Sequence, residues 1–87
     1  MASYRIFFKR SAEKELRRIS QPYLSQILKK INSLKVDPRP PGIQMLKGEE
    51  RHFRLRHGDY RIIYETDDIL HEVTIIKIGH RREVYEG

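Results

Sequence analysis

The side chains best equipped for chemistry in this sequence are arginines, histidines and tyrosines, and they fall in two places. Arg54, Arg56 and Arg61 belong to the segment HFRLRHGDYRIIY at residues 52–64. The second group stands near the C-terminus and consists of His80, Arg81 and Tyr85. A guanidinium has forked donors that match phosphate oxygens, and it keeps its charge at any relevant pH. An imidazole exchanges protons near neutrality, and a tyrosine can stack on a base or shift a proton.

These groups, brought together, could cleave RNA without a metal ion. The reaction needs a base for the 2′-hydroxyl, cations for the charge that develops on phosphorus, and a donor to the leaving 5′-oxygen. The plainer interpretation is a solvated surface, because most arginines of a small basic protein lie in water. Composition and periodicity alone therefore indicate only a basic domain that binds an anionic partner.

Other chemistries are less favoured by the sequence. The four histidines lack close ligand spacing and there is no cysteine, so we expect no metal site. No serine stands in a G-x-S-x-G turn, and the glycines are too scattered for a phosphate-binding loop. We therefore expect no cofactor.

Length and charge set the class of protein. The 87 residues are enough for one domain, which we expect to span 1–87. The net charge of +6, from 18 Lys and Arg against 12 Asp and Glu, favours an anionic partner. No apolar run approaches the ~20 residues that span a bilayer, and no signal peptide is evident, so we expect a cytoplasmic protein that does not bind membranes.

The N-terminal half predicts one strand followed by an antiparallel pair of helices. The apolar run at residues 3–8 has the length of a strand. Ser11 is the expected N-cap of a short first helix. A second helix follows Pro22, with its apolar residues at helical spacing: Leu24, Ile27, Leu28, Ile31 and Leu34. Residues 37–48 hold too many prolines and glycines for a regular element, so we predict a loop there, held to the core by Met45 and Leu46.

The C-terminal half predicts consecutive antiparallel strands. Residues 52–64 form a hairpin that turns at residues 57–59, with apolar and aromatic side chains on one face and His52, Arg54, Arg56 and Arg61 on the other. After a turn at Asp67 and Asp68, residues 70–78 form a strand whose apolar residues have both parities, which predicts a strand covered on both faces for part of its length. The result is an α+β fold: a small sheet with the helices on one face.

This order of elements, the LKG at 46–48, the segment FRLRHGDYRIIYE at 53–65 and the ending IGHRREVY at 78–85 resemble the RelE branch of the RelE/ParE toxin superfamily. The resemblance implies a toxin of a type II toxin–antitoxin pair that enters the ribosomal A site and cuts mRNA, leaving a 2′,3′-cyclic phosphate. It also implies a RelB-like acidic antitoxin, partly disordered, that wraps the toxin and covers or distorts its basic face.

The resemblance also implies residue roles. Arg61 and Arg81 match the family positions that hold and polarise the scissile phosphate, and Tyr85 matches the tyrosine that stacks on the substrate base and helps to activate the nucleophile. Where relatives often have two lysines, this chain has His52 and Arg54. Arg54 can stabilise charge but is too basic to accept a proton. The base would then be His52, His80 or Tyr85, with His80 first because some relatives have a histidine near the terminal tyrosine.

Further cations near these positions are expected to bind RNA. With His52 they form the predicted RNA-binding set: Lys47, Arg51, Arg56 and Arg82. The competing prediction is a ParE-like toxin, which has the same fold but is not an enzyme and poisons DNA gyrase. The joint presence of Arg61, Arg81 and Tyr85 favours the nuclease, and a plain nucleic-acid-binding module is the third alternative.

Overall fold

A computed structural model describes residues 3–46, 48 and 51–80 of the chain. Within these ranges, two helices and five strands are present, and the predicted α+β class with helices on one face of the sheet is confirmed. The elements are β1 (Arg5–Phe8), α1 (Arg10–Arg17), α2 (Tyr23–Ser33), β2 (Gln44–Met45), β3 (His52–His57), β4 (Tyr60–Asp67) and β5 (Glu72–His80).

The strands form one mixed sheet in the order β1-β5-β4-β3-β2. β1 is parallel to β5, whereas the other neighbours are antiparallel. A parallel pair needs a long crossover, and the two helices belong to that connection. β4 therefore lies at the centre of the sheet, and β3 and β4 carry the hairpin on which the candidate site is built.

The hairpin has the predicted alternation. Gly58 has a φ of +60°, a conformation that glycine adopts without steric cost, and the turn aligns Leu55 with Ile62 and Phe53 with Tyr64. These side chains face the helices and meet the buried residues Ala12, Ile19, Ile27, Ile31, Leu34, Val73, Ile75 and Ile78. The arginines of the hairpin consequently lie on the other face of the sheet, which we call the outer face.

Tyr64 combines full burial with a satisfied hydroxyl. Its side chain is inaccessible to solvent, and the hydroxyl donates a hydrogen bond to the Pro38 carbonyl at 2.7 Å. Burial raises the pKa of Tyr64, because the phenolate form would lose its hydration. The predicted role of Tyr64 as a core aromatic is confirmed, and its hydroxyl holds the loop after α2 to the core.

A β-bulge in β5 explains the apolar pattern of this strand. The register with β4 steps from Lys77 opposite Ile63 to Ile75 opposite Tyr64, so that Ile76 is the extra residue of a β-bulge. The bulge reverses the alternation along the strand, which is why Val73, Ile75 and Ile78 are all buried although their numbers differ in parity. The bulge, rather than burial on both faces, accounts for the buried apolar residues of both parities.

Three further predictions need correction: the bounds of β5, the N-cap of α1 and the packing of Met45. β5 spans Glu72–His80 rather than 70–78, and Leu70 is exposed in the preceding turn. Helix α1 is N-capped by Lys9 rather than Ser11, since strand pairing continues to Lys9, whose N–H donates to the Ile75 carbonyl at 2.9 Å. Met45 does not hold its loop to the core; it belongs to the edge strand β2 and is exposed.

The turn between β4 and β5 follows the prediction at Asp67 and Asp68. Oδ1 of Asp67 accepts hydrogen bonds from the N–H groups of Ile69 and Leu70 at 3.0 and 2.9 Å, as in an Asx turn. Asp68 accepts hydrogen bonds from the Tyr4 hydroxyl at 2.7 Å and the Arg39 guanidinium at 3.0 Å. The bond from Tyr4, followed by that from Arg39, lowers the pKa of Asp68. This end of the sheet is thus closed by a polar cluster.

Charged side chains from the helices cap the sheet edges beyond β1 and β2. The Ile78 N–H, past the end of β1, donates to Oε1 of Glu15 at 2.8 Å, and Nζ of Lys77 lies 3.6 Å from the same carboxylate. On the opposite edge, Nζ of Lys30 donates to the Arg56 carbonyl at 2.9 Å. At a strand edge, some backbone N–H and carbonyl groups have no strand partner. Here a carboxylate accepts from such an N–H, and an ammonium donates to such a carbonyl. None of the helices in the described ranges is long and apolar enough to cross a membrane.

We expect Glu15→Ala to lower the free energy of unfolding by about 1–3 kcal/mol, because the Ile78 N–H would be left without its acceptor. Glu15→Gln keeps an acceptor oxygen and should lose less. Urea denaturation measures both variants, and hydrogen exchange at the Ile78 amide reports the bond directly. Glu13→Ala is the matched control, since Glu13 is exposed on the same helix and pairs only loosely with Arg17, at 3.6 Å. Equal losses for Glu15→Ala and Glu13→Ala would contradict this assignment.

Candidate nucleic-acid interface

The hairpin register brings the predicted arginines together on the outer face. Arg56 lies directly opposite Arg61, and Arg54 is opposite Ile63, one step further along the same face. Arg56 is exposed, whereas Arg54 and Arg61 are half-buried. We call Arg54, Arg56 and Arg61 the arginine row. Strand alternation produces this grouping, because residues two apart on one strand share a face.

The arginine row concentrates positive charge on the outer face. Like charges directly opposite each other on neighbouring strands repel, and Arg56 and Arg61 are such a pair. Ile63 lies beside Arg54 on this face and is only 8% exposed, so the row includes an apolar floor. Positive charge gathered on one face attracts anions, which makes this face a candidate binding surface.

Arg54 is oriented by its neighbour on β2. Nη2 of Arg54 donates a hydrogen bond to Oε1 of Gln44 at 2.7 Å. Its Nε is buried and has no hydrogen-bond partner within the described part of the chain. The hydrogen bond to Gln44 therefore holds the guanidinium in one orientation beside β2.

His52 lies on the outer face, next to a carboxylate. It is opposite Glu65, and its Nε2 is 3.5 Å from Oε1 of Glu65. Arg51 immediately precedes β3 and is exposed, and its carbonyl accepts a hydrogen bond from the Thr66 N–H at 3.0 Å. Among the described residues there is no group of three or more His, Asp or Glu that could hold a metal ion.

The structure does not bring His80 to this face. His80 is opposite Tyr60, and the two rings contact each other edge-on at 5.7 Å between centroids, on the side of the sheet that carries the helices. Its Nε2 lies 3.8 Å from Oδ2 of Asp59. The residue opposite Arg61 is Gly79. The expectation that His80 would converge with Arg61 was therefore wrong, and the bulge at Ile76 is the reason, since it reverses which residues of β5 face the core.

Four of the predicted site residues lie outside the described residues: Lys47, Arg81, Arg82 and Tyr85. Their roles stay predictions. Sequence reasoning missed two residues that act on the arginine row, Gln44 and Lys30. Gln44 follows a proline-rich segment with no strand pattern, and Lys30 is one of the two lysines of α2, both of them exposed. No local signal distinguishes either residue, because each meets the row only through tertiary packing.

A family model and several solved structures are similar to this chain. The family model described as the ParE toxin of the type II toxin–antitoxin system parDE matches residues 6–85. A comparison with curated proteins gave no match. Among solved structures, the RelBE2 toxin–antitoxin complex of Mycobacterium tuberculosis contains a chain with 26% identity and a TM-score of 0.78, covering 91% of this chain and 99% of that one.

Two further structures are similar over nearly the same range. The RelE–RelB complex of Pyrococcus horikoshii has a chain with 25% identity and a TM-score of 0.81, covering 91% of this chain and 96% of that one. The intact RelBE complex of E. coli has one with 28% identity and a TM-score of 0.79, covering 90% of this chain and 96% of that one. Since a toxin family model matches nearly the whole chain and RelE toxins share its fold, the chain belongs to the RelE/ParE superfamily and is a toxin of a type II toxin–antitoxin system.

Proposed function

We propose that this toxin is a ribosome-dependent, metal-independent endoribonuclease that cuts mRNA in the ribosomal A site. The observation that carries the proposal is the arginine row, in which Arg54, Arg56 and Arg61 share one face and Arg56 lies opposite Arg61. Three forked cations on one surface suit a phosphodiester chain. Similarity to RelE toxins over about nine-tenths of the chain supports the same conclusion.

The proposed reaction is attack of the 2′-hydroxyl on the adjacent phosphorus. A base removes the 2′-proton, the 2′-oxygen bonds to phosphorus, and the bond from phosphorus to the 5′-oxygen breaks. The products are a 2′,3′-cyclic phosphate and a 5′-hydroxyl, the latter formed when the leaving oxygen takes up a proton. Arg61 and Arg54 would stabilise the charge that develops on the phosphoryl oxygens, together with Arg81. Tyr85 would stack on the substrate base.

The proposed general base is His52. All four histidines are among the described residues, and His52 is the one that shares the outer face with the arginine row. The Glu65 carboxylate beside it would orient the imidazole. The competing candidate His80 contacts Tyr60 on the other side of the sheet. Tyr85 stays a further candidate for this role.

The proposed partners are anionic. The solved structures that resemble this chain include RelE toxins bound to RelB antitoxins. We propose that the cognate antitoxin is likewise RelB-like, and that its acidic segment covers or distorts the arginine row. The net charge of +6 suits both this antitoxin and RNA. Both partners, the antitoxin and the ribosome with its mRNA, imply a cytoplasmic protein.

The second candidate is a ParE-like toxin that binds and poisons DNA gyrase without being an enzyme. The observation in its favour is that the matching family model is described as the ParE toxin. The fold serves both functions, so the fold does not choose between them. A cationic face would also suit a complex with gyrase or its DNA.

Two assays with the purified toxin separate the candidates. Programmed ribosomes that are translating a defined message are mixed with the toxin, and new RNA ends are mapped by primer extension. In parallel, the same toxin is added to gyrase in a supercoiling assay. We expect mRNA cuts in the A-site codon and undisturbed supercoiling, with cleavage abolished by prior addition of the cognate antitoxin. Intact mRNA together with inhibited supercoiling would refute the nuclease proposal and favour the ParE-like function.

A further inference from the structure

A polar cleft of about 460 Å³ opens at the edge of the sheet, where β3 continues past the first residue of β2 without a strand beside it. One wall is the turn at residues 40–43, in which the Ile43 N–H donates to the Pro40 carbonyl at 3.1 Å. The other walls are formed by Lys30 of α2, Gln44 of β2 and Arg54 and Arg56 of β3. The cleft thus lies where a helix, a turn and two strands meet.

The described residues that line this cleft carry only positive charge. They include the cations Lys30, Arg54 and Arg56 and, among the described residues, no carboxylate. Lys30 donates one of its three ammonium hydrogens to the Arg56 carbonyl. The exposed ammonium therefore has donors left for a ligand. Such a concentration of positive charge in a concave surface attracts anions from solution.

Arg54 gives the cleft a second, independent feature. Its guanidinium is fixed by the hydrogen bond to Gln44, while its buried Nε has no partner among the described residues. A guanidinium carries five N–H donors in a planar fork, and the hydrogen bond to Gln44 holds this fork at the cleft. The chemistry that fits forked donors beside an ammonium is an oxyanion such as a phosphodiester.

The cleft and the arginine row are continuous, because Arg54 and Arg56 belong to both. A polyanion that crosses the outer face would contact positively charged side chains all the way to the cleft at the edge of β3. Single-stranded RNA repeats its phosphate at every nucleotide, so the strand whose phosphate occupies the row supplies the next anion for the cleft. This repetition favours the RNA strand over an isolated acidic side chain of a protein.

We infer that this cleft binds a backbone phosphate of the substrate RNA next to the phosphate held by the arginine row, and that Lys30 is an RNA-binding residue. The inference rests on the proposed function in that it takes RNA as the ligand. It extends the proposed site from the outer face around the sheet edge to helix α2. Lys29, the neighbouring exposed lysine of α2, does not line the cleft and supplies a matched control.

The test measures RNA binding against salt concentration for the full chain and three variants. The probe is a fluorescent single-stranded 2′-O-methyl oligoribonucleotide, which lacks the nucleophile for cleavage. Lys30→Gln should weaken binding severalfold and reduce the slope of log K against log salt by about 0.7, the value for one lost phosphate contact on a single strand. Lys29→Gln should leave the slope unchanged, and Lys30→Arg should restore it. Thermal unfolding of each variant checks that Lys30→Gln is folded.

Four results would overturn the inference. The first is a slope for Lys30→Gln that equals the parent slope, and the second is an equal loss of slope in both glutamine variants. The third is weaker binding of the antitoxin by Lys30→Gln with RNA binding unchanged, and the fourth is failure of the toxin to bind the oligonucleotide at low salt. This test can be distinguished from the cleavage assay. If the toxin leaves mRNA intact but Lys30→Gln still lowers the salt slope of RNA binding, the inference about the cleft holds and the nuclease proposal is refuted.

Discussion

Arg61→Ala is expected to slow mRNA cleavage on ribosomes by on the order of a hundredfold or more. A donor aimed at charge that develops in the transition state typically contributes this much when it is preorganised. Arg61 is half-buried on the central strand, faces the arginine row and is opposite a glycine, so its guanidinium is positioned by the sheet rather than by a loop. Single-turnover cleavage of a defined message measures the loss.

Two variants make the Arg61 prediction specific. Arg61→Lys keeps the charge but not the planar fork, so we expect partial activity. Arg17→Ala removes an exposed arginine of α1 that pairs with Glu13 at 3.6 Å, and it should cleave at the parent rate. Thermal unfolding establishes that each variant is folded. Cleavage by folded Arg61→Ala at the parent rate would show that Arg61 takes no part in the reaction.

Ile62→Ala is expected to lower the free energy of unfolding by about 2–5 kcal/mol, the usual cost of this truncation in a packed core. Ile62 is inaccessible to solvent and lies on β4 between Leu55 and Ile78, directly behind the arginine row. The void left by three missing carbons cannot be filled by solvent or by neighbours on rigid strands. Since small domains are stable by only about 5–15 kcal/mol, the variant should unfold at much lower urea concentration.

Ile69→Ala provides the same chemical change in a different environment. Ile69 is 90% exposed in the turn between β4 and β5, so its truncation should change the free energy of unfolding by no more than about 0.5 kcal/mol. Urea denaturation of the two variants side by side isolates the effect of burial. Similar stabilities for Ile62→Ala and Ile69→Ala would contradict the assignment of Ile62 to the core.

Much of the hairpin could be predicted from sequence because its information is local. A strand side chain points opposite to its neighbour, so the spacing of Phe53 and Leu55 against Arg54 and Arg56 already separates a core face from a cationic face. Gly58 marks the turn and thereby sets which residues are opposite each other. From these rules alone, Arg61 falls on the face of Arg54 and Arg56, and the structure confirms that arrangement.

The position of His80 shows where local rules fail. Uninterrupted alternation from the buried residues Val73 and Ile75 would direct His80 to the face opposite the core. The bulge at Ile76 reverses the alternation, so that Ile78 is buried and His80 contacts Tyr60. The bulge occurs where β1 ends and Glu15 of α1 takes over the edge of β5. That change of neighbour is not encoded in the pattern of β5 itself.

By itself, the sequence determined the order of elements, the alternation of the hairpin and its excess of positive charge, since each depends on residues close together in the chain. Only the tertiary structure decided which distant side chains share a surface. It brought Lys30 and Gln44 to the arginines and separated His80 from them. The physical reason is that strand register, the bulge and the packing of helices against sheet edges depend on contacts between segments far apart in the chain, and the spacing of residues within one segment carries no record of those contacts.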